Sequence, residues 1–120
     1  MRKIILVMSI FSSIFGMTAQ QLDQIKVLEP SDYKIAIESK NVQLIDVRTS
    51  REYNSEHIKN ALNIDVLNRK TFIAYFKELD PNEPVYLYCR SGSRSQRATK
   101  LLVELGFKEI YDLKGGILNY

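Results

Sequence analysis

The sequence predicts a three-layer α/β domain, a central, mostly parallel five-stranded sheet flanked by helices, and three observations carry that expectation. Short β-forming runs alternate with helical patterns, the arrangement that parallel strands joined by crossover helices leave in a sequence. Val42 to Val47 is apolar almost throughout, as a strand covered on both faces requires. Val85-Tyr86-Leu87-Tyr88 runs into the single cysteine, Cys89, and then into a polar, Gly-containing loop. An apolar pattern of helical spacing at Ala98, Leu101, Leu102 and Leu105 follows, so the helix is expected over Gln96 to Gly106.

At the start of the chain, Met1-Arg2-Lys3 precedes an apolar run from Ile4 to Gly16 and the small or polar Thr18 and Ala19, the layout of an export signal. The run is interrupted by Ser9, Ser12 and Ser13 and is shorter than the ~20 residues a membrane-spanning helix needs, which favours a removable signal over an anchor. Residues 1–20 are therefore read as the signal, with cleavage near 19–20, and 21–120 as one domain, free of the membrane after cleavage. Export places it in the periplasm of a bacterium with an outer membrane, and otherwise outside the cell. Of the 17 Lys and Arg against 14 Asp and Glu, Arg2 and Lys3 leave with the signal, and the remaining net charge is +1. With no basic run interleaved with aromatics, nucleic acid is not an expected partner, and the domain is expected to be a monomer. The lone cysteine allows no intramolecular disulfide, so stability must come from packing.

The elements follow in order. Residues 21–24 are expected to be loose, Ile25 to Leu28 a short strand, and Pro30-Ser31 the opening of a helix to about Ser39. Thr49-Ser50-Arg51-Glu52 fits a capping box, so a short helix begins there and ends before His57. Ala61 to Ile64 reads as a strand. Asn68 caps a helix over Arg69 to Leu79 that turns Phe72, Ile73, Tyr75 and Phe76 inward. Asp80 to Pro84 is a turn, Gly106 ends the helix after Cys89, Glu109 to Leu113 is a last strand, and Gly115-Gly116 begins a terminal turn.

A thiol at the carboxyl end of a strand, before a loop and a helix, has a chemical consequence. The first amides of a helix lack intrahelical partners and carry partial positive charge, and a loop curling from Cys89 to Arg94 aims further N–H groups at the sulfur. Arg90 and Arg94 add full charges, so the site favours thiolate over thiol. A lone cysteine is more often a small buried hydrophobe; the flanking Arg, Ser and Gly argue against that here.

The segment Cys89-Arg90-Ser91-Gly92-Ser93-Arg94 resembles the active-site loop of the rhodanese domain, a single-cysteine sulfurtransferase family. It matches the pattern C-R-x-G-x-[RT] of thiosulfate-type members rather than the C-G-[ST]-G-V-[ST] of mercaptopyruvate-type ones. Leu44 to Arg48 with Glu52-Tyr53, His57 to Ile64, and Gly106-Phe107 through Leu113 to Ile117 match further segments of the family, in order. The departure is Glu56-His57-Ile58-Lys59-Asn60, where members often read G-H-I-P-G; it bears on a turn. The resemblance implies a rhodanese-like fold and a Cys89 nucleophile that takes sulfur from a small anionic donor such as thiosulfate. A Cys89 persulfide then passes it to cyanide or a thiol, including a protein thiol. Arg90, Ser91, Gly92, Ser93, Arg94 and Ser95 are the expected binding residues, and no cofactor is implied.

Around the loop, Arg48 either adds charge to the pocket or pairs with Glu52 or Asp46. Asp46 reads as a hydrogen-bonding anchor, since an acid beside a thiolate opposes its ionisation. His57, a structural position in the family, reads as a packed, hydrogen-bonded residue and not as a catalytic base. No Cys or His cluster has metal-ligand spacing, so no metal is expected. Two other functions compete: a persulfide carrier or binding module without turnover, and a Cys-dependent phosphatase or arsenate reductase. The latter enzymes use C-x5-R, whereas Cys89 to Arg94 is one residue shorter.

Overall fold

The central strand is Val85–Tyr88, all four residues of which are buried, and the rest of the domain is laid on either side of it. The computed structural model describes residues 18–120, so most of the segment read as an export signal lies outside the described residues. Five strands, β1 (Ile25–Leu28), β2 (Gln43–Asp46), β3 (Leu62–Asn63), β4 (Val85–Tyr88) and β5 (Ile110–Leu113), form one sheet in the order β1-β5-β4-β2-β3. Every neighbouring pair is parallel, so the expected "mostly parallel" sheet is wholly so.

Strand alternation divides the core in two. Val85, Leu87 and Cys89 point to one face, where they meet Phe72 and Phe76 of helix α4 (Arg69–Lys77) and Ala98, Leu101 and Leu102 of helix α5 (Ser93–Glu104). Tyr86 and Tyr88 point to the other, against Tyr33 of α2 (Pro30–Ser39), Tyr53 of α3 (Ser50–Ser55) and Ile58. Tyr33 is fully buried, and its hydroxyl donates to the carbonyl of Leu87 at 2.9 Å, which satisfies a polar group that burial would otherwise penalise.

The predicted caps are present. Thr49 accepts from the Glu52 amide while the Glu52 carboxylate accepts from the Thr49 amide, and Asn68 accepts from the Thr71 amide. At the end of α5, Gly106 takes φ +94°, and the amides of Gly106 and Phe107 donate to Val103 and Leu102 at 3.0 Å each, closing the helix's last carbonyls.

Three expectations need correction. Residues 21–24 are not loose throughout: Thr18 and Gln21 form a reciprocal capping box that starts a short helix, α1 (Ala19–Leu22). In α4 Phe72 and Phe76 are fully buried and Tyr75 is half-buried but packs against the same core, whereas Ile73, also half-buried, is not among the residues packed on it. Helix α5 begins at Ser93 rather than Gln96. Its first turn is polar because it faces the site, so hydrophobic spacing marks only the part of the helix that packs on the sheet.

Candidate active site

Cys89 follows β4 directly, and the chain reverses into α5 within three residues because Gly92 adopts φ +112°, a conformation that costs a glycine nothing. That reversal points the Gly92 amide at the Cys89 Sγ, 3.0 Å away. The thiol in turn lies 3.4 Å from the Ser95 Oγ, and the Ser95 hydroxyl donates to the carbonyl of Gly92 at 3.0 Å. The sulfur therefore sits at the amino end of a 12-residue helix, whose partial positive charge favours an anion. The cradle is shorter than the sequence suggests, a turn over 90–92 and the start of α5. The thiol is also more enclosed: Cys89 is 1% exposed and packs beside Leu87 and Ala98, since alternation sends it to the same face as Val85 and Leu87.

The turn is held from outside by the end of the chain. The Ile117 amide donates to the Cys89 carbonyl at 2.9 Å and the Leu118 amide to the Arg90 carbonyl at 3.1 Å. This closeness needs Gly116, at φ +67°, where an added Cβ would lie 2.3 Å from the Arg90 carbonyl oxygen.

The arginines have distinct partners. Arg94 forms a forked pair with Glu52, Nη1 to Oε1 at 2.7 Å and Nη2 to Oε2 at 2.8 Å. The Arg94 guanidinium holds the Glu52 carboxyl down to about 2. Arg48 is 5% exposed and pairs with Asp46, Nη2 to Oδ2 at 2.7 Å, while donating to the Glu56 carbonyl at 2.6 Å. Of the two roles open to Arg48, the ion pair with Asp46 is the one realised. Asp46 is the expected anchor: it also accepts from the Arg48 amide at 3.0 Å and from the Tyr88 hydroxyl at 2.8 Å. His57 is exposed, with its ring stacked 3.8 Å from that of Tyr53 and Nδ1 2.9 Å from the Tyr53 carbonyl. Arg90 is exposed and borders a cleft of about 340 Å³ shared with Arg48, Arg51, Glu52 and Glu56. A larger cavity, about 850 Å³, is lined by Lys34, Lys40, His57, Lys59 and Tyr120 and includes no residue of the Cys89 turn. Among the described residues no cluster of His, Cys, Asp and Glu is arranged to hold a metal ion.

Sequence reasoning missed the Glu52 to Arg94 pairing, the backbone strap at 116–118 and the buried Asp112 of β5. The capping box already explained Glu52, and its carboxylate serves both partners.

An enclosed thiol between a parallel strand and a helix amino terminus defines a class of single-cysteine domain. The chain matches the family described as "Rhodanese-like domain" over residues 29–120 and belongs to it. Among individual proteins, it is 37% identical over 93 residues to a tRNA uridine(34) hydroxylase of Pelagibacter ubique, covering 78% of this chain but 31% of the relative's length. The chain thus spans about a third of the curated relatives it matches. A rhodanese-like domain protein of Staphylococcus aureus superposes with a TM-score of 0.68 at 29% identity, covering 78% of this chain and 89% of that one. A human single-domain sulfurtransferase has the same fold, with a TM-score of 0.68 at 22% identity over 78% of this chain and 92% of that one.

Proposed function

We propose that the protein is a sulfurtransferase that carries sulfur as a Cys89 persulfide. The observation that carries this reading is the 3.0 Å approach of the Gly92 amide to Sγ at the start of α5, a setting suited to thiolate and persulfide anions. Membership of the rhodanese-like family supports an enzyme, and the run Cys89 to Arg94 supports a thiosulfate-type donor. In the first half-reaction the Cys89 sulfur gives up its proton and bonds to the donor's outer sulfur, and the donor's S–S bond breaks with its electron pair leaving on sulfite. In the second, cyanide or a thiol takes the outer sulfur and Cys89 leaves as thiolate. Arg90, exposed beside the arginine-bordered cleft, draws the anionic donor in, while Arg48 and Arg94 are held by Asp46 and Glu52. The apolar run near the start supports export, with the domain working in the periplasm or outside the cell.

Intact mass after mixing with thiosulfate should show one added sulfur atom, and cyanide should then remove it over repeated turnovers. Cys89→Ser should load none. Loading of the serine variant would overturn the reading, and a single equivalent without turnover would make the protein a carrier. The relatives named tRNA uridine(34) hydroxylase favour a second reading, in which this domain serves tRNA modification within a larger assembly. Saturable tRNA binding by residues 21–120 would support it. The phosphatase reading loses ground, since the Arg94 fork that would hold a tetrahedral oxyanion is taken up by Glu52.

A further inference from the structure

Asp112 is the buried group that the sulfur chemistry above leaves unused. It is 3% exposed, and its Oδ1 is a buried side-chain atom without a hydrogen-bond partner among the described residues. Such a group costs stability, so its presence asks for a reason. In the parallel register Asp112 stands opposite Leu87 of β4 and Val27 of β1, on the sheet face to which Cys89 also points. Helix α5 covers that face and supplies Ser95, which is fully buried. Burial pushes the Asp112 carboxyl up to about 6, and the nearby Ser95 hydroxyl pulls the other way. In the structure Ser95 donates to Gly92 and Asp112 Oδ1 is left without a donor, so the Ser95 side chain must swing from one acceptor toward the other for the two to bond.

We propose that Asp112 is the proton store for Cys89, with the Ser95 hydroxyl as the bridge between the carboxyl and the sulfur. This rests on the sulfurtransferase reading for its purpose, though not for its test. The thiol is already placed to donate to the Ser95 Oγ at 3.4 Å. As Sγ bonds to the donor's outer sulfur, the thiol proton passes to Ser95, and the Ser95 proton passes to the Asp112 carboxylate. The donor's S–S bond breaks and its electron pair departs on the leaving group. When an acceptor removes the outer sulfur, Cys89 leaves as thiolate and the proton returns by the same route. No oxidant or reductant is consumed, and the site never holds the thiolate and the Asp112 carboxylate together, which a dry pocket disfavours. The groups around Asp112 suit this. From β1 and β4 its register partners are Val27 and Leu87; from α5 the nearby group is Ser95, while Arg94 of that helix is paired with Glu52. From α2, the Tyr33 phenol feels the Asp112 charge, and burial together with that charge keeps it protonated.

The test is the rate of Cys89 alkylation by iodoacetamide between pH 4.5 and 9.5, which needs no sulfur donor. In the wild type the rate should rise in two steps, the first centred near pH 6, where Asp112 ionises and becomes able to take the thiol proton. Asp112→Asn should remove the first step and leave a single rise of tenfold per pH unit up to one midpoint. Ser95→Ala should shrink the first step at least fivefold, and thermal melting of each variant establishes that it is folded. A one-step wild-type profile, or a first step retained in either folded variant, overturns the proposal. Uniformly faster alkylation of Asp112→Asn does so too, since the carboxylate would then act only as a repelling charge. If Asp112→Asn fails to fold, the wild-type and Ser95→Ala profiles still decide. Absence of persulfide loading with a two-step profile rejects sulfur transfer and keeps Asp112; loading with a one-step profile does the reverse.

Discussion

Replacing Gly116 by alanine should both destabilise the domain and disturb the site, and the size of the effect follows from the geometry. The added Cβ would lie 2.3 Å from the Arg90 carbonyl oxygen and 2.6 Å from the Ser91 amide nitrogen, so turn and strap must part by about 1 Å to reach ordinary contact. That parting breaks the bonds from the Ile117 and Leu118 amides to Cys89 and Arg90, each contributing about 1 kcal/mol net. The backbone at Gly116, φ +67° and ψ −167°, lies in a region that other residues enter at a cost of about 1–3 kcal/mol. Together these give about 3–5 kcal/mol, which for a domain of this size lowers the melting temperature by at least ~12 °C. Thermal unfolding followed by circular dichroism measures it. Alkylation of Cys89 should quicken in the same variant, because the lifted turn uncovers a thiol that is 1% exposed. A melting temperature within about 3 °C of wild type, with unchanged alkylation, would refute the view that the strap holds the turn.

Asp46→Ala leaves Arg48 charged, 5% exposed and without its carboxylate, which should cost about 3–5 kcal/mol in urea unfolding; a loss under about 1 kcal/mol would mean that water reaches Arg48 freely. Glu52 titrates lower in the folded state, near 2, than its ordinary 4.5, so the stability it contributes is present above pH 4.5 and is lost as pH falls toward 2. Because the side chains of the pair are 22% and 26% exposed, solvent screening limits this contribution to about 1 kcal/mol. Glu52→Gln should therefore lower the urea midpoint at pH 6 and match wild type near pH 2, and an equal deficit at both pH values would trace the loss to packing instead.

What the sequence made legible was whatever depends on neighbours along the chain. The capping residues Thr49 and Asn68, the stop at Gly106 and the thiol after Val85–Tyr88 are all local patterns, and all are where the spacing puts them. What it hid depends on distant partners. Glu52 and Arg94 are 42 positions apart, and each already had a local explanation. Asp112 occupies a strand position whose alternation reads as ordinary, and its meaning appears only when β5 is set beside β4 and under Ser95. Gly116 looked like half of a turn because its constraint comes from Arg90, on another element. The early start of α5 was hidden for a physical reason: its first turn, Ser93 to Gln96, is polar and carries no apolar stripe.

The position of β5 has a consequence for how the chain is made. Among the described residues β1 pairs in the sheet with β5 alone, and β5 also covers the side of β4 away from β2, although it is the last of the five strands along the chain. Until 110–113 leave the ribosome, β1 has no neighbour and β4 presents an unpaired edge, so the sheet cannot close. Productive folding therefore waits for 110–113, and for that interval the nascent polypeptide exposes unpaired strand edges.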